Sequence, residues 1–245
     1  YHVLEEKGRE PQYDGYVESF TENWEKLEQY DNNAPKTMNA HLHVLEAYTL
    51  LYQCWKDNGL KKRLEFCVDL FMNRIYDPSR KHFNLFFDNE WNSLVEMDSY
   101  GHDVETGWLL CEAARTLENQ DLIEQTNQLA LDVTEACLAE GMSDKGYMIY
   151  EKKGDRKTKH ASWWGQIETV IACVNAWQIS GSDVYLQSVD TVWTFVKDHM
   201  VDKEYGEWYS DCFDGEPKKE APKVSMWRCP YHTVRLGVEM YNRLK

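Results

Sequence analysis

Hydrophobic residues along this chain form four long runs that resemble one another. The runs begin, at intervals of 60 to 66 residues, at His43, Asp103, Gln166 and His232. Each run carries little charge after its first turn, which is typical of a helix that other elements cover on most sides. The sequence therefore predicts four equivalent inner helices.

The first three runs are each followed by a segment in which apolar residues recur every 3.6 positions and one face is charged, over 60–77, 121–140 and 182–200. Short polar connections at 57–59, 118–120 and 180–182 have the turn and cap chemistry that joins antiparallel helices. Between these predicted hairpins, the aromatic-rich stretches 81–94 and 204–215 favour short β-hairpins or loops.

Helical hairpins with apolar inner helices predict an all-α fold in which the hairpins close into a ring, the (α/α)6 barrel; an open superhelix of repeats is the alternative. We expect a single domain over 1–245, with a connecting loop or hairpin segment at 1–36 and, at 37–245, three helical hairpins plus a final inner helix. Six hairpins would close the ring, so roughly the first two are expected to be missing. A missing N-terminal segment or a second chain would then complete the barrel.

Composition narrows the class of partners. A formal net charge of -15 repels phosphate backbones and anionic lipids, so we expect neither nucleic acid nor membrane as a partner. Only 13 glycines and 6 prolines in 245 residues favour helix. The seven cysteines are scattered and form no C-x-x-C pair, which favours a reducing compartment and predicts a cytoplasmic protein.

The starts of the inner helices are rich in chemically useful side chains. If the repeats are equivalent, these side chains converge on one end of the ring: Asn39, His41 and His43; His102, Glu105 and Trp108; Trp163, Trp164, Gln166 and Glu168; Trp227, Tyr231 and His232. His102 and Glu105 are three residues apart, so we expect the carboxylate to hydrogen-bond the imidazole. A lone histidine here would be a core residue, and a lone tryptophan would serve helix packing. The convergence of several favours a functional pocket.

Three kinds of chemistry fit these residue types. A metal site would use His43, His102, Glu105 and His232, but the sequence lacks a compact ligand motif and the tryptophans suit a sugar better. Inverting glycoside hydrolysis would use Glu105 and Glu168 as its two carboxylates. Proton abstraction next to a carbonyl fits best, because two imidazoles on opposite faces of an opened aldose can remove and return the C2 proton.

Four motifs carry a resemblance to a known family: KTMNAHLHVLEAY (36–48), SYGHDVETGWLL (99–110), WWGQIETV (163–170) and WRCPYH (227–232). In these motifs, and in their order and spacing, the chain resembles the C-terminal two-thirds of the cellobiose 2-epimerases of the N-acylglucosamine 2-epimerase superfamily. The resemblance implies an (α/α)6 barrel, no metal, nucleotide or other cofactor, and a disaccharide substrate. It also implies reversible C2 epimerisation of the reducing-end glucose or mannose of β-1,4-linked disaccharides such as cellobiose, lactose or mannobiose.

The same resemblance implies roles for individual residues. His102 and His232 resemble the acid/base pair that works through a cis-enediolate, and His43 and Glu105 resemble groups that polarise or orient the reacting end. The residues that resemble substrate-binding positions are Asn39, Trp108 and Trp227, with one or both of Trp163 and Trp164. An N-acylglucosamine 2-epimerase, an aldose–ketose isomerase and a non-catalytic sugar-binding repeat protein remain as alternatives.

Overall fold

The computed structural model describes residues 1–27, 29–30 and 33–245, and these residues group into two compact units. Unit 1 comprises Tyr1–Asp98 and Leu109–Thr126, and unit 2 comprises Ser99–Trp108 and Asn127–Lys245. The expectation of one domain over 1–245 stays a prediction. Each unit is described by itself below.

The described residues are mostly helical, as predicted. Helices lie at the positions of all four inner runs and all three amphipathic partners: α1 (Met38–Cys54), α2 (Asn58–Leu70), α3 (Tyr100–Leu117), α4 (Gln120–Gly141), α5 (Trp163–Ser180), α6 (Val184–Phe195) and α7 (Tyr231–Arg243). One π-helical turn continues α2 over Phe71–Ile75 and another continues α6 over Val196–Met200. The predicted inner helices are therefore α1, α3, α5 and α7.

The polar connections act as helix caps, which confirms their predicted role. The Asp57 carboxylate accepts a hydrogen bond from the Leu60 amide at the start of α2, and the Asn119 side chain accepts one from the Leu122 amide at the start of α4. Gly181 ends α5 with a φ of 70°, a left-handed conformation that glycine adopts without steric cost.

Helix α5 shows why an inner run is apolar on most faces. Within unit 2 it packs against both α6 and α7, and Ile167, Ile171 and Cys173 are completely buried. Cys173 belongs to a core cluster that also includes Tyr185 of α6. In unit 1, α1 packs along α2 around a core that includes Leu45 and Leu64. Removing such side chains from water is the main force that holds these helices together.

Short strands form between the helices, as the aromatic stretches predict. The strands are β1 (Lys36–Thr37), β2 (Tyr76–Asp77), β3 (His82–Phe83), β4 (Phe86–Phe87), β5 (Met97–Asp98), β6 (Lys152–Lys153), β7 (Arg156–Lys157), β8 (His160–Ser162), β9 (Asp211–Phe213) and β10 (Glu216–Pro217). In unit 1, β1 pairs with β4 and β2 with β3, all antiparallel. In unit 2, β6 pairs with β7, and β9 lies between β8 and β10.

The segment predicted as a loop or hairpin over 1–36 includes residues 28, 31 and 32, which lie outside the described residues. Its described part has a π-helical turn at Leu4–Gly8 and two isolated antiparallel bridges, Arg9 with Tyr16 and Phe20 with Lys26. Across 1–27, 29–30 and 33–245, no helix has both the length and the hydropathy that crossing a membrane requires.

Candidate active site

The first turns of three inner helices carry three of the candidate residues of unit 2. His102 is the third residue of α3, Trp164 the second residue of α5, and His232 the second residue of α7. The Ser162 hydroxyl caps α5 by accepting a hydrogen bond from the Gly165 amide at 3.2 Å, which fixes where the helix begins. The start of α5 therefore holds Trp164 at a defined position.

The indole of Trp164 contacts both candidate acid/base histidines. Its ring centroid lies 4.5 Å from that of His102 and 5.7 Å from that of His232. The two imidazole centroids are therefore at most 10.2 Å apart, the sum of those distances. Two residues that are 130 positions apart in sequence thus share one aromatic neighbour.

Gly101 allows this close packing of Trp164. A Cβ atom at position 101 would lie 2.7 Å from Cζ3 and 2.8 Å from Cη2 of Trp164, closer than real Cβ contacts come. The same Cβ would lie 3.1 Å from the backbone of Gly165. The six-membered ring of Trp164 therefore rests on the glycine that precedes His102.

Glu168 anchors His232 from within the core. The imidazole Nδ1 of His232 lies 2.7 Å from Oε1 of Glu168, and the indole Nε1 of Trp108 donates to Oε2 at 2.9 Å. Glu168 is completely buried, whereas His232 keeps 16% of its side chain exposed. Because Nδ1 is held by the carboxylate, Nε2 is the ring nitrogen of His232 that this contact leaves available for acid/base chemistry.

Arg235 joins the two carboxylates of the site. Its Nη1 donates to Glu105 Oε1 at 2.5 Å and to Glu168 Oε1 at 3.0 Å. The guanidinium lies over the rings of Tyr231, at 4.2 Å, and Trp108, at 5.3 Å. A buried carboxylate needs a partner of opposite charge, and here one cation serves two of them.

Arg235 is not among the site residues predicted from the sequence. A signal was nevertheless present: Arg235 is a charged residue in an otherwise apolar inner helix, three positions after His232, so both side chains lie on the same side of α7. Glu168 was recognised only as a second carboxylate for hydrolysis. Its direct bond to His232 joins two different helices, so no local spacing in the sequence predicts it.

His102 is held by a neighbour in the chain. Its Nδ1 lies 2.8 Å from the hydroxyl oxygen of Ser99. The predicted bond from Glu105 to this imidazole stays a prediction, and the Glu105 carboxylate contacts Arg235. His102 is half-buried.

Trp163 and Trp227 occupy different surroundings from Trp164. Trp163 is buried under the guanidinium of Arg228, which lies 4.9 Å from its ring, and burial lowers the pKa of Arg228. Among the described residues, the buried Nε1 of Trp163 has no hydrogen-bond partner. Trp227 is 82% exposed on the segment before α7. Of the two adjacent tryptophans, Trp164 is the one that contacts both imidazoles closely.

Asn39 and His43 belong to unit 1, on α1. His43 is exposed, and its Nδ1 lies 3.2 Å from the carboxylate of Glu46. Asn39 is half-buried in the first turn of α1. His41 is completely buried, accepts a hydrogen bond from the Tyr16 amide and contacts the Thr37 carbonyl, which is the role of a core histidine.

Three groups of the site lie close enough to bind a metal ion. Glu105, Glu168 and His232 each offer one ligand atom, all within 4.8 Å of one another. However, Nη1 of Arg235 bonds to both of these carboxylates and stands where a divalent cation would bind. The two carboxylates of the site are therefore paired with an internal cation.

The fold and the site together place the protein in the class of α/α-hairpin proteins. Its two imidazoles lie around one indole and form a candidate acid/base site. Comparison with known proteins narrows the class. The N-acylglucosamine 2-epimerase family model matches residues 1–235, and the chain belongs to this family.

Individual relatives agree with this assignment. The cellobiose 2-epimerase of Bacteroides fragilis is 40% identical over 236 residues, which cover 92% of this chain and 59% of that protein. The cellobiose 2-epimerase of Dictyoglomus turgidum is 36% identical and is covered to 60%. The solved structure of cellobiose 2-epimerase from Bacillus thermoamylovorans B4167 superposes with a TM-score of 0.94 at 34% identity, covering 99% of this chain and 64% of that one. The chain thus spans about three fifths of the length of these relatives.

Proposed function

We propose that the protein reversibly epimerises C2 of the reducing-end glucose or mannose in β-1,4-linked disaccharides. The observation that carries this proposal is the packing of one indole, Trp164, against both His102 and His232. The family assignment supports it, as do relatives that are themselves cellobiose 2-epimerases. Cellobiose, lactose and mannobiose are the candidate substrates, and no cofactor takes part.

In the proposed mechanism, one imidazole removes the C2 proton of the opened sugar and the electron pair moves toward the C1 carbonyl. The product of this step is a cis-enediolate. The same carbon then receives a proton on its opposite face from the second imidazole, so the configuration at C2 inverts. Histidine suits both steps, because its ordinary pKa lies near neutral pH. His102 and His232 are the proposed pair.

The buried charges behind His232 have a positioning role in this proposal. Glu168 fixes the ring orientation through Nδ1, and Arg235 keeps Glu168 and Glu105 in place. Hydrogen-bond donors that are already oriented can stabilise the enediolate oxygens without reorganisation. We assign Glu105 and His43 to polarising or orienting the reacting end, and Asn39, Trp108, Trp163, Trp164 and Trp227 to substrate binding.

The proposal includes completion of an (α/α)6 barrel by polypeptide outside these 245 residues, in the same or a second chain. Support comes from the relatives, of which this chain spans about three fifths, and from α7. Its residues Val234, Val238 and Tyr241, spaced as one helical face, are 59%, 51% and 69% exposed. An exposed apolar stripe of this kind is typical of a surface that another helix covers. The cytoplasmic location also stays a prediction.

The decisive experiment is solvent exchange. The intact natural protein is incubated with cellobiose or lactose in heavy water, and C2 is followed by nuclear magnetic resonance. We expect deuterium at C2 together with the manno epimer. His102→Ala or His232→Ala should abolish both while the helical circular dichroism spectrum is retained.

Other outcomes would identify the alternatives. Binding without exchange would indicate a sugar-binding repeat protein, and a ketose product would indicate an aldose–ketose isomerase. Release of monosaccharides would indicate a hydrolase. The structure disfavours inverting hydrolysis, which needs two carboxyl groups roughly 6.5–9.5 Å apart with a water between them, because oxygens of Glu105 and Glu168 lie within 4.8 Å of each other.

A further inference from the structure

A row of contacting aromatic rings leads from the candidate site of unit 2 to its surface. Tyr150 meets Trp164 edge to face at 6.0 Å, and His160 lies 4.7 Å from Tyr150. Phe213 stacks on His160 at 5.3 Å with an angle of 12° between the ring planes. Phe213 is 59% exposed, so the outer end of the row presents an aromatic face to solvent.

The framework of the row is fixed by hydrogen bonds. His160 and Phe213 are direct partners in the pairing of β8 with β9, which sets the stack. The Tyr150 amide donates to the His160 carbonyl at 2.8 Å. The imidazole Nε2 of His160 lies 2.6 Å from the Asp211 carboxylate, which orients the ring. Phe213 is therefore supported from beneath, with little side-chain freedom left to lose on binding.

A charged residue follows Phe213 directly in the sequence. Asp214 follows Phe213 and turns the chain with a φ of 50° before Gly215. Its carboxylate is held between Lys145, at 2.9 Å, and Lys159, at 3.3 Å. An aromatic face with ordered polar groups beside it is the combination that suits a pyranose ring, which has apolar C–H faces and hydroxyls at its edge.

We propose that the exposed face of Phe213 is an outer subsite for an additional pyranose ring of a β-1,4-linked oligosaccharide. Phe213 lies at most 16.0 Å from Trp164, the sum of the three ring distances, and is connected to it by continuous contacts. A sugar ring bound there in addition to a disaccharide would make chains of three or more sugars bind more tightly than disaccharides. This inference rests on the proposed function, in which the reducing end lies at Trp164.

The test compares sugar binding by titration calorimetry with the intact natural protein. The ligands are cellobiose and the β-1,4-linked trisaccharide of glucose, and the proteins are the wild type, Phe213→Ala and Phe213→Trp. Tyr205→Ala is the matched control, because Tyr205 is an 80% exposed aromatic residue of the same unit outside the row.

We expect the wild type to bind the trisaccharide more tightly than cellobiose. Loss of one aromatic stack should weaken trisaccharide binding by Phe213→Ala about three- to tenfold and leave cellobiose unchanged. Phe213→Trp and Tyr205→Ala should keep the wild-type preference. An equal effect of Phe213→Ala on both sugars, no effect on either, or no sugar binding by the wild type would overturn the subsite. Deuterium exchange at C2 of cellobiose, measured on the same samples, tests the epimerase proposal independently of the subsite.

Discussion

The imidazole of His232 and the carboxylate of Glu168 form a hydrogen bond of 2.7 Å between two inner helices, α7 and α5. The carboxylate is completely buried and also accepts from Trp108 and Arg235. Because these contacts hold the Glu168 carboxylate in place, it restricts the motion of the imidazole. Glu168 therefore sets the position and the proton-bearing nitrogen of His232.

Glu168→Gln tests this positioning role. The amide keeps the length of the side chain but removes the charge that orients His232 and pairs with Arg235. We expect deuterium exchange at C2 to slow on the order of 10²-fold, with near-native circular dichroism. Glu239→Gln is the control, since Glu239 lies on the same helix as His232 and bonds Arg243. Similar exchange rates in the two variants would show that Glu168 does not position His232 for exchange.

Arg235→Met tests the bridge between the carboxylates. The variant keeps much of the packing but leaves Glu105 and Glu168 buried without their shared cation. We expect the free energy of unfolding to fall by about 3–5 kcal/mol in urea titrations. Arg115→Met removes an arginine whose ion pair with Glu112 is about one third exposed, and should cost less than about 1 kcal/mol.

A combined variant sharpens the same prediction. If uncompensated charge causes the loss, adding Glu105→Gln and Glu168→Gln to Arg235→Met should recover part of the stability. Equal losses of unfolding free energy for Arg235→Met and Arg115→Met would show that the buried bridge contributes no more to stability than an exposed ion pair.

How far the sequence predicts this site depends on whether the information is local. His102 and His232 could be selected, because each lies at the start of a repeated apolar run. The choice between Trp163 and Trp164 could not be made, because adjacent helical residues point about 100° apart and only the packing of α5 decides which one meets the imidazoles. Arg235 and its two carboxylates come from three helices, so no spacing in the sequence relates them.

The fold was more predictable than the site for the same reason. Period-3.6 patterning and cap residues such as Asp57 and Gly181 act within one or two turns, and they placed the helices correctly. Several of the short strands depend on pairings between distant segments, such as Lys36–Thr37 with Phe86–Phe87. The aromatic composition indicated such strands but could not give their partners.

Gly101→Ala tests the close contact beneath Trp164. The new methyl group would lie 2.7–2.8 Å from the indole, so either the ring or the helix must move. We expect a loss of about 1–3 kcal/mol in unfolding free energy, typical of overpacking, and slower C2 exchange because Trp164 no longer lies against both histidines. The measurements are urea unfolding and solvent exchange.

Two further variants serve as controls for Gly101→Ala. Gly237 lies in α7 with nothing within 4 Å of its would-be Cβ, so Gly237→Ala should be neutral or gain up to about 1 kcal/mol from helix propensity. Trp164→Phe, with its smaller ring, should recover stability when added to Gly101→Ala. Unchanged stability and exchange in Gly101→Ala alone would contradict the contact.

His41 makes unit 1 sensitive to acid. The ring is completely buried, with Nδ1 2.7 Å from the Thr37 carbonyl and Nε2 accepting from the Tyr16 amide at 2.9 Å. These two bonds require a neutral imidazole that carries its proton on Nδ1. Burial lowers the pKa of His41 from 6.5 to about 4. Between these values the unfolded chain binds a proton at this position that the folded chain does not.

The sign of the pH effect follows from that difference. The contribution of His41 to stability is complete above about pH 6.5 and is lost progressively as the pH falls toward 4, by roughly 3 kcal/mol in total. We therefore expect the stability advantage of the wild type over His41→Gln, measured by urea unfolding, to shrink by about that amount between pH 7.5 and 4. His43→Gln, at an exposed position of the same helix, should track the wild type throughout. A wild-type advantage over His41→Gln that stays constant from pH 7.5 to 4 would show that His41 is not held neutral by the fold.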